Sequence, residues 1–149
     1  MKKIEFIIKT EEEMIRLGEA IGKAVYPNIV LTMDGNLGAG KTTLTKGIGK
    51  ALGIKRVINS PTFTIMKVYE GNMTLYHLDV YRIENSNSDF ELEEYFYLDG
   101  VTVIEWSENI KDLIPNDAVR LTFEINEDAS RKVTINGPLE FIQKLNVGE

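Results

Sequence analysis

Hydrophobic residues in the first third of the chain follow two periods that alternate along the sequence. Apolar and polar residues alternate over 4–8, which is the pattern of a short, half-buried strand. Apolar residues recur at helical spacing over 14–25, and a continuous apolar run follows at 29–33. Helical spacing returns over 44–52. The pattern therefore predicts a strand, a helix, a buried strand and a second helix, in that order.

The same region contains residues that begin and end helices. Thr10 and Glu13 have the spacing of a capping box, in which side chains accept the hydrogen bonds of the first backbone N–H groups. Pro27 ends the first helix and leads the chain into the buried strand. Gly53 follows the second helix at the C′ position, where the backbone often turns left-handed. Both predicted helices thus have defined boundaries.

In the remaining two thirds of the chain, the sequence pattern predicts two hairpins and one further buried strand between them. Gly71-Asn72 is a two-residue hairpin signal, and residues 127–130 form the turn of a second hairpin. The polar stretch 84–89 and the region around Pro115 predict loops. The predicted elements are strands at 64–70, 73–79, 101–104, 119–125 and 132–135, an acidic helix at 90–98 and a terminal helix at 139–145. We expect one α/β domain over residues 1–149, with a mixed central sheet, flanking helices and antiparallel hairpins.

The loop between the buried strand and the second helix has phosphate-binding chemistry. Gly35, Gly40, Lys41 and Thr42 fit the P-loop pattern, in which two glycines with four residues between them precede Lys and Thr. Glycines let backbone N–H groups curl around a phosphate chain, Lys41 reaches its terminal phosphates, and the Thr42 hydroxyl can ligate Mg²⁺. The strand before the loop and the helix after it are the context that the motif requires, so we expect a P-loop NTPase fold.

Composition and charge narrow the functional classes. Hydrophobic residues make up 43% of the chain and charged residues 27%, as in ordinary globular proteins. No apolar run approaches the length of a membrane span, and no secretory signal is evident, so we expect a soluble cytoplasmic protein. The absence of cysteine excludes disulfides and thiol catalysis. A net charge of −6 argues against broad nucleic-acid binding, although a local basic patch remains, formed by Lys46, Lys50, Lys55 and Arg56.

Two carboxylates follow predicted strands, at Asp79 and at Glu105. A lone acid at a strand end is often a solvated or capping group. Ligands of open α/β sheets, however, gather at the carboxyl ends of strands, and nucleotide hydrolysis needs an acid at the metal and a group that orients water. We therefore expect at least one of the two near the phosphates. Residues 60–62, between the P-loop helix and the next strand, occupy the place of a γ-phosphate-sensing switch.

Three further side chains near these acids each allow two interpretations. His77, the single histidine, shares a strand face with Asp79 and is either a site residue or a structural one. Arg82 either stabilises phosphate charge or pairs with the acids of 91–94. Trp106 lies either in the core or facing a nucleotide or partner.

Four motifs together resemble the TsaE (YjeE) family of small bacterial P-loop ATPases, in their order and in their intervals. The resemblance covers nearly the whole chain. It implies ATP hydrolysis in the synthesis of N6-threonylcarbamoyladenosine at adenosine 37 of tRNAs that read codons beginning with A, where hydrolysis drives turnover of the TsaB–TsaD complex. The motifs are Gly35–Thr43, Ser60–Phe63, His77–Arg82 and Ile104–Glu108.

The resemblance also implies roles for single residues. Thr42 and Glu105 would ligate Mg²⁺, Lys41 would contact the terminal phosphates of ATP, and Asp79 would position or activate water. Thr62 would be a switch-like residue, and Trp106 would lie near the nucleotide. Contacts to the base are less distinctive, and the candidates are Thr10 and Arg131. The phosphate-binding residues would be Gly38, Ala39, Gly40, Lys41, Thr42 and Thr43.

Two other functions use the same residues. A small-molecule kinase also needs a P-loop, an acid and an arginine, although the chain offers no evident lid or second substrate lobe. A nucleotide-gated binding module would dock a partner in its ATP state and use hydrolysis only to reset. For the ATPase, the acidic balance of the chain favours docking on TsaB–TsaD and an indirect involvement of tRNA over strong direct binding of nucleic acid.

Overall fold

Seven strands form one mixed sheet in the computed structural model of the chain, which describes residues 1–35, 38–59, 66–80 and 94–147. The strands are β1 (Lys2–Ile8), β2 (Val30–Gly35), β3 (Met66–Tyr69), β4 (Leu75–Asp79), β5 (Val101–Glu105), β6 (Val119–Ile125) and β7 (Arg131–Gly137). Their order across the sheet is β1-β7-β6-β2-β5-β4-β3. The predicted mixed α/β architecture is confirmed.

The centre of the sheet is parallel and its edges are antiparallel. β2 pairs in parallel with β5 on one side and with β6 on the other, and β4 pairs in parallel with β5. The antiparallel pairs are β1 with β7, β6 with β7, and β3 with β4. The continuous apolar run of β2 is explained by this position, because a central parallel strand is covered on both faces.

Side chains of the central strands alternate between two hydrophobic clusters on opposite faces of the sheet. Leu31 and Met33 belong to a larger cluster, whereas Val30 belongs to a smaller one that includes Phe96 and Ile110. Three helices cover the larger cluster: α1 (Glu11–Ala24), α2 (Lys41–Ala51) and α3 (Leu139–Val147). In the described ranges, the smaller cluster is covered by two 3₁₀ segments, Tyr95–Tyr97 and Ser107–Leu113.

The capping box of α1 forms, with one difference from the ideal pattern. The Thr10 hydroxyl oxygen accepts a hydrogen bond from the Glu13 backbone N–H at 3.1 Å. The Glu13 carboxylate accepts from the backbone N–H of Lys9 at 3.2 Å, one residue before the cap. Two N–H groups at the start of the helix are therefore satisfied, as the sequence predicts.

α1 and α2 cross in backbone contact because glycines face each other. A Cβ atom added at Gly18 would lie 2.1 Å from the Leu44 carbonyl oxygen, and one added at Gly47 would lie 2.1 Å from the Ile15 carbonyl oxygen. No side chain fits at either position at this separation. The first helix is therefore held directly against the P-loop helix.

Three local predictions differ from the structure or lie partly outside it. β3 and β4 form the predicted hairpin, but their loop spans 70–74 and is longer than a two-residue turn, because the Asn72 N–H donates to the Leu52 carbonyl at 2.6 Å. Residues 90–93 of the acidic helix predicted at 90–98 lie outside the described residues, Glu94 is helical, and a 3₁₀ turn follows at Tyr95–Tyr97. The loop predicted at 84–89 also lies outside the described residues. Within the described ranges, no helix is long and apolar enough to cross a membrane.

Candidate nucleotide site

The P-loop lies between the central strand β2 and helix α2, as predicted. Gly40 is the N-cap of α2 and has φ of +104°, a left-handed conformation that favours glycine. A Cβ atom there would also lie 2.7 Å from the Met14 side chain of α1. The first backbone N–H groups of the helix have no intrahelical acceptor and point toward the loop. This end of α2 therefore presents the donors and the positive dipole that bind anions.

Lys41 contacts three different parts of the site. Its side chain is only 5% exposed, and its Nζ donates to the Gly35 carbonyl oxygen at 3.0 Å. Nζ also lies 3.8 Å from Glu105 Oε1 and 4.7 Å from the ring centroid of Trp106. Burial of an ammonium group is unfavourable unless it is paired, and here a carbonyl, a carboxylate and an aromatic ring share that task.

Glu105 is held on its other oxygen by the single histidine. His77 Nε2 lies 2.7 Å from Glu105 Oε2, the histidine is fully buried, and the Glu105 side chain is 5% exposed. His77 Nδ1 is buried and has no hydrogen-bond partner in the described part of the chain. We place the imidazole proton on Nε2, because a buried lone pair without a partner is better tolerated than a buried N–H without one. His77 therefore donates to the carboxylate and fixes its orientation.

Asp79 lies beside Glu105 at the same edge of the sheet. It is the last residue of β4 and pairs in register with Glu105, the last residue of β5. Its side chain is largely buried. Adjacent strands run about 4.8 Å apart, so the two carboxylates emerge close together at the carboxyl ends of parallel strands.

A third carboxylate, Asp34, holds the loop that follows Glu105. Asp34 Oδ1 accepts from the Ser107 backbone N–H at 2.9 Å, and Oδ2 accepts from the Ser107 hydroxyl at 2.7 Å. Trp106, between Glu105 and Ser107 in the sequence, has a φ of +63°, a left-handed conformation that costs a non-glycine residue about 1 kcal/mol or more. The two bonds from Ser107 hold Trp106 under Lys41. Sequence analysis missed this pair, although Asp34, like Asp79 and Glu105, is an acid at a strand end.

Beside the P-loop, a cavity of about 310 Å³ brings together the two candidates for base contact. Thr10 and Arg131 both line it, with Gly38, Gly40 and Thr43 on the P-loop side. Arg131 Nη2 donates to the Gly38 carbonyl at 3.3 Å. The structure thus places both residues next to the loop, with Thr10 also capping α1.

The remaining predicted residues have less distinctive surroundings. Ala39 is fully buried, and Thr42 lies half-buried in the first turn of α2. Thr62 and Arg82 lie outside the described residues. Within residues 1–35, 38–59, 66–80 and 94–147, no group of three His, Asp or Glu side chains could hold a metal ion.

Comparisons with known proteins agree on one family. Residues 8–133 match the model of the family described as threonylcarbamoyl adenosine biosynthesis protein TsaE. The tRNA threonylcarbamoyladenosine biosynthesis protein TsaE of Bacillus subtilis is 41% identical, over 90% of this chain and 85% of that protein. Its namesake in Treponema pallidum is 36% identical, over 87% of this chain and 97% of that protein.

A solved structure supports the same assignment. The crystal structure of Bacillus subtilis YdiB matches with a TM-score of 0.84 and 32% sequence identity. The match covers 99% of this chain and 94% of that one. With a family model matched over most of its length and relatives above 30% identity, this chain belongs to the TsaE family.

Proposed function

We propose that this protein is a cytoplasmic, Mg²⁺-dependent ATPase that supports N6-threonylcarbamoylation of adenosine 37 in tRNAs reading ANN codons. It would act with the TsaB–TsaD complex and drive the turnover of that complex. Membership of the TsaE family supports the pathway. The observation that carries the ATPase is the cluster at the mouth of the P-loop, where the Lys41 ammonium lies 3.8 Å from Glu105 and above Trp106.

The residues of the site fit a nucleotide with Mg²⁺. Lys41 contacts the Gly35 carbonyl and the Glu105 carboxylate, two acceptors that phosphate oxygens could replace. The candidate metal ligands, Thr42 and Glu105, are oxygen donors, which is what Mg²⁺ prefers. Thr42 and Glu105 would hold the ion together with the phosphates, and bound Mg²⁺ would neutralise the charge on the transferred group.

Each remaining side chain then has a defined task. Lys41 and the backbone of 38–43 hold the phosphates, with the N-terminus of α2 directed at them. His77 keeps Glu105 in one orientation through its 2.7 Å contact. Asp79, beside Glu105 in the sheet, accepts a hydrogen bond from the attacking water and aligns it. Thr62 is proposed as the switch-like residue.

On the nucleoside side, Thr10 and Arg131 line the cavity next to the P-loop and would contact the nucleotide there. Trp106 faces the phosphate side, since its ring lies beneath Lys41. We do not expect the isolated protein to bind tRNA strongly, because its net charge of −6 opposes the binding of long polyanions. Tight binding of tRNA by the isolated protein in a filter-binding assay would contradict this.

The decisive experiment measures phosphate release from ATP and from GTP in Mg²⁺, for the protein alone and with TsaB and TsaD. We expect slow release alone, stimulation by the complex, and loss of activity in Lys41→Ala and in Glu105→Ala. Lys23→Ala is the matched control, because Lys23 is an exposed lysine at the far end of α1. Binding is followed separately through Trp106, the only tryptophan, whose fluorescence should change when phosphates draw Lys41 away from its ring.

The same assay separates the alternatives. Absence of stimulation with intact nucleotide binding would contradict the role with TsaB–TsaD. Phosphate appearing on an added metabolite would support a kinase. Docking on TsaB–TsaD that requires ATP but survives Glu105→Ala or Asp79→Ala would support a nucleotide-gated module.

A further inference from the structure

A groove of about 410 Å³ lies at the end of α2 opposite the P-loop. Its cations are Lys46, Lys50, Lys55 and Arg56, and its apolar lining includes Ile54 and Ile58. We call it the basic groove. Four positive side chains in one place are unusual for a chain whose net charge is −6. The groove shares no described lining residue with the nucleotide site described above.

The four cations are not equally available to a ligand. Arg56 is held in place, because its Nη1 donates to the Val68 carbonyl at 3.3 Å and its guanidinium lies 5.2 Å from the Tyr69 ring centroid. Lys50 pairs with Glu19 at 2.9 Å. Within the described residues, no carboxylate lies within ion-pair distance of Lys46 or Lys55, and both are exposed. The groove therefore offers one fixed guanidinium and two uncompensated ammonium groups.

The groove also has an apolar component. Val57, at its rim, is 71% exposed, more than any other large hydrophobic residue in the described ranges. Ile54 is half-buried and Ile58 is buried beneath it. A ligand that covered Val57 would bury this exposed side chain, and the loss of apolar surface to water would favour binding. The site thus suits a ligand with both negative and aliphatic groups.

We propose that the basic groove binds an acidic segment of a partner protein, in which carboxylates flank one aliphatic side chain. The carboxylates would pair with Lys46, Lys55 and Arg56, and the aliphatic side chain would cover Val57. Arg56 is suited to carboxylates because its planar fork is already oriented. On the proposed function, and resting on it, the partner that supplies this segment is the TsaB–TsaD complex.

Two features favour a protein segment over RNA. Proteins that bind single-stranded RNA stack bases on exposed aromatic rings, and the described residues that line the groove include none, since the neighbouring Tyr69 is only 1% exposed. Attraction by surface charges also fades beyond about 8 Å at physiological salt. A short acidic segment stays within the field of the groove, whereas an RNA strand extends over the rest of an acidic protein.

The test uses the whole protein and two probes of matched negative charge. One is a fluorescent peptide of repeated Glu-Glu-Leu units, and the other is a fluorescent oligouridylate. The groove variant is Lys46→Glu with Lys55→Glu. Its matched control is Lys2→Glu with Lys3→Glu, which changes the net charge equally at two exposed lysines of β1, the opposite edge strand. Both variants should keep the circular dichroism and the basal phosphate release of the parent.

We expect the groove variant to bind the peptide about tenfold more weakly than the parent, and the control variant to stay within about twofold. Equal losses in the two variants, or no loss in the groove variant, would overturn the proposal. Tighter binding of the oligouridylate than of the peptide, with the same dependence on Lys46 and Lys55, would assign the groove to RNA instead and overturn it as well.

A second measurement tests the source of the segment. The affinity of TsaB–TsaD in the presence of ATP should fall in the groove variant and not in the control variant. Unchanged affinity in the groove variant would overturn the assignment to this complex. No affinity of the parent protein for TsaB–TsaD would contradict the proposed function itself, and the peptide measurement would still decide on the groove.

Discussion

The two halves of the nucleotide site are built in different ways. In the phosphate half, Lys41, His77 and Glu105 are buried and form a connected row of contacts from three different elements. In the proposed nucleoside half, Thr10 and Arg131 line an open cavity, and among the described residues one 3.3 Å hydrogen bond from Arg131 joins this pair to the P-loop. One half is enclosed by the core, and the other stands at the surface.

This difference indicates which contacts of the site require an exact geometry. A buried charged row has few alternative arrangements, because every unpaired member would be costly in low dielectric. Exposed contacts compete with water and contribute little each. We therefore expect the site to be strict about phosphates and metal, and tolerant about the base. Three predictions test this contrast, beyond the loss expected for Lys41→Ala.

The largest effect is expected from His77→Leu, in the phosphate half. Leucine fills the space but cannot donate to Glu105 Oε2, so the carboxylate loses its orientation. Residues that orient a metal ligand from behind typically contribute 10- to 100-fold, so we expect a fall of about that size in phosphate release and a higher Mg²⁺ requirement for nucleotide binding. His77→Gln, which keeps an N–H donor, should recover much of both.

Nuclear magnetic resonance gives a direct readout of the same contact. His77 is the only histidine, so ¹⁵N-histidine labelling yields the signals of one imidazole ring. The signals should show a proton on Nε2 that is hydrogen-bonded to the Glu105 carboxylate. A proton on Nδ1, or a His77→Leu variant with parental Mg²⁺ dependence, would mean that Glu105 is oriented by something else.

An intermediate effect is expected from Arg131→Ala, in the nucleoside half. The side chain makes a single exposed hydrogen bond to the P-loop backbone, and such bonds contribute about 0.5–1.5 kcal/mol. Nucleotide affinity, measured by Trp106 fluorescence, should therefore fall by about 2- to 10-fold, for ATP and GTP alike. Arg120→Ala, at an exposed position on β6, is the control. A 100-fold loss of nucleotide affinity in Arg131→Ala would contradict the expectation that the nucleoside half tolerates substitution better than the phosphate half.

The smallest effect concerns the turn that presents Arg131. The Asp128 carboxylate accepts hydrogen bonds from the Ser130 hydroxyl at 2.6 Å and the Ser130 N–H at 3.0 Å, which lower the pKa of Asp128 below its usual 3.8. A pKa that is lower in the folded state stabilises the fold above pH 3.8, and this contribution disappears as the pH falls through the folded-state value. The Tm advantage of the parent over Asp128→Asn should shrink correspondingly. An advantage that grows in acid would contradict this.

Local sequence patterns were sufficient to predict the helices and strands around the P-loop. The capping box, the apolar run of β2 and the glycine after α2 each specify structure within a few residues, and each is where the sequence predicts it. The strand order is different. β1 pairs with β7 from Lys2↔Gly137 to Ile8↔Arg131, across almost the whole chain. Alternation with period two predicts that a strand exists but not which strand lies beside it.

The same limit applies to the site. Lys41, Asp79 and Glu105 could be predicted because each has a local signal, either a motif or a strand end. The contacts of Glu105 with His77 and of Asp34 with Ser107 could not, because they join residues 28 and 73 positions apart and depend on the order β2-β5-β4. The roles of these residues in catalysis remain predictions until the variants are measured.

Helix α2, which packs against α1 through the glycine contact, connects the P-loop to the basic groove. Lys41 lies at the P-loop end of the helix, and Lys50 at the other end lines the basic groove. Lys41 and Lys50 are nine positions apart in the helix, which corresponds to a rise of about 14 Å at 1.5 Å per residue. The close approach of the backbones at Gly18 and Gly47 packs this helix directly against α1. A protein bound in the basic groove would therefore lie about one short helix length away from the P-loop.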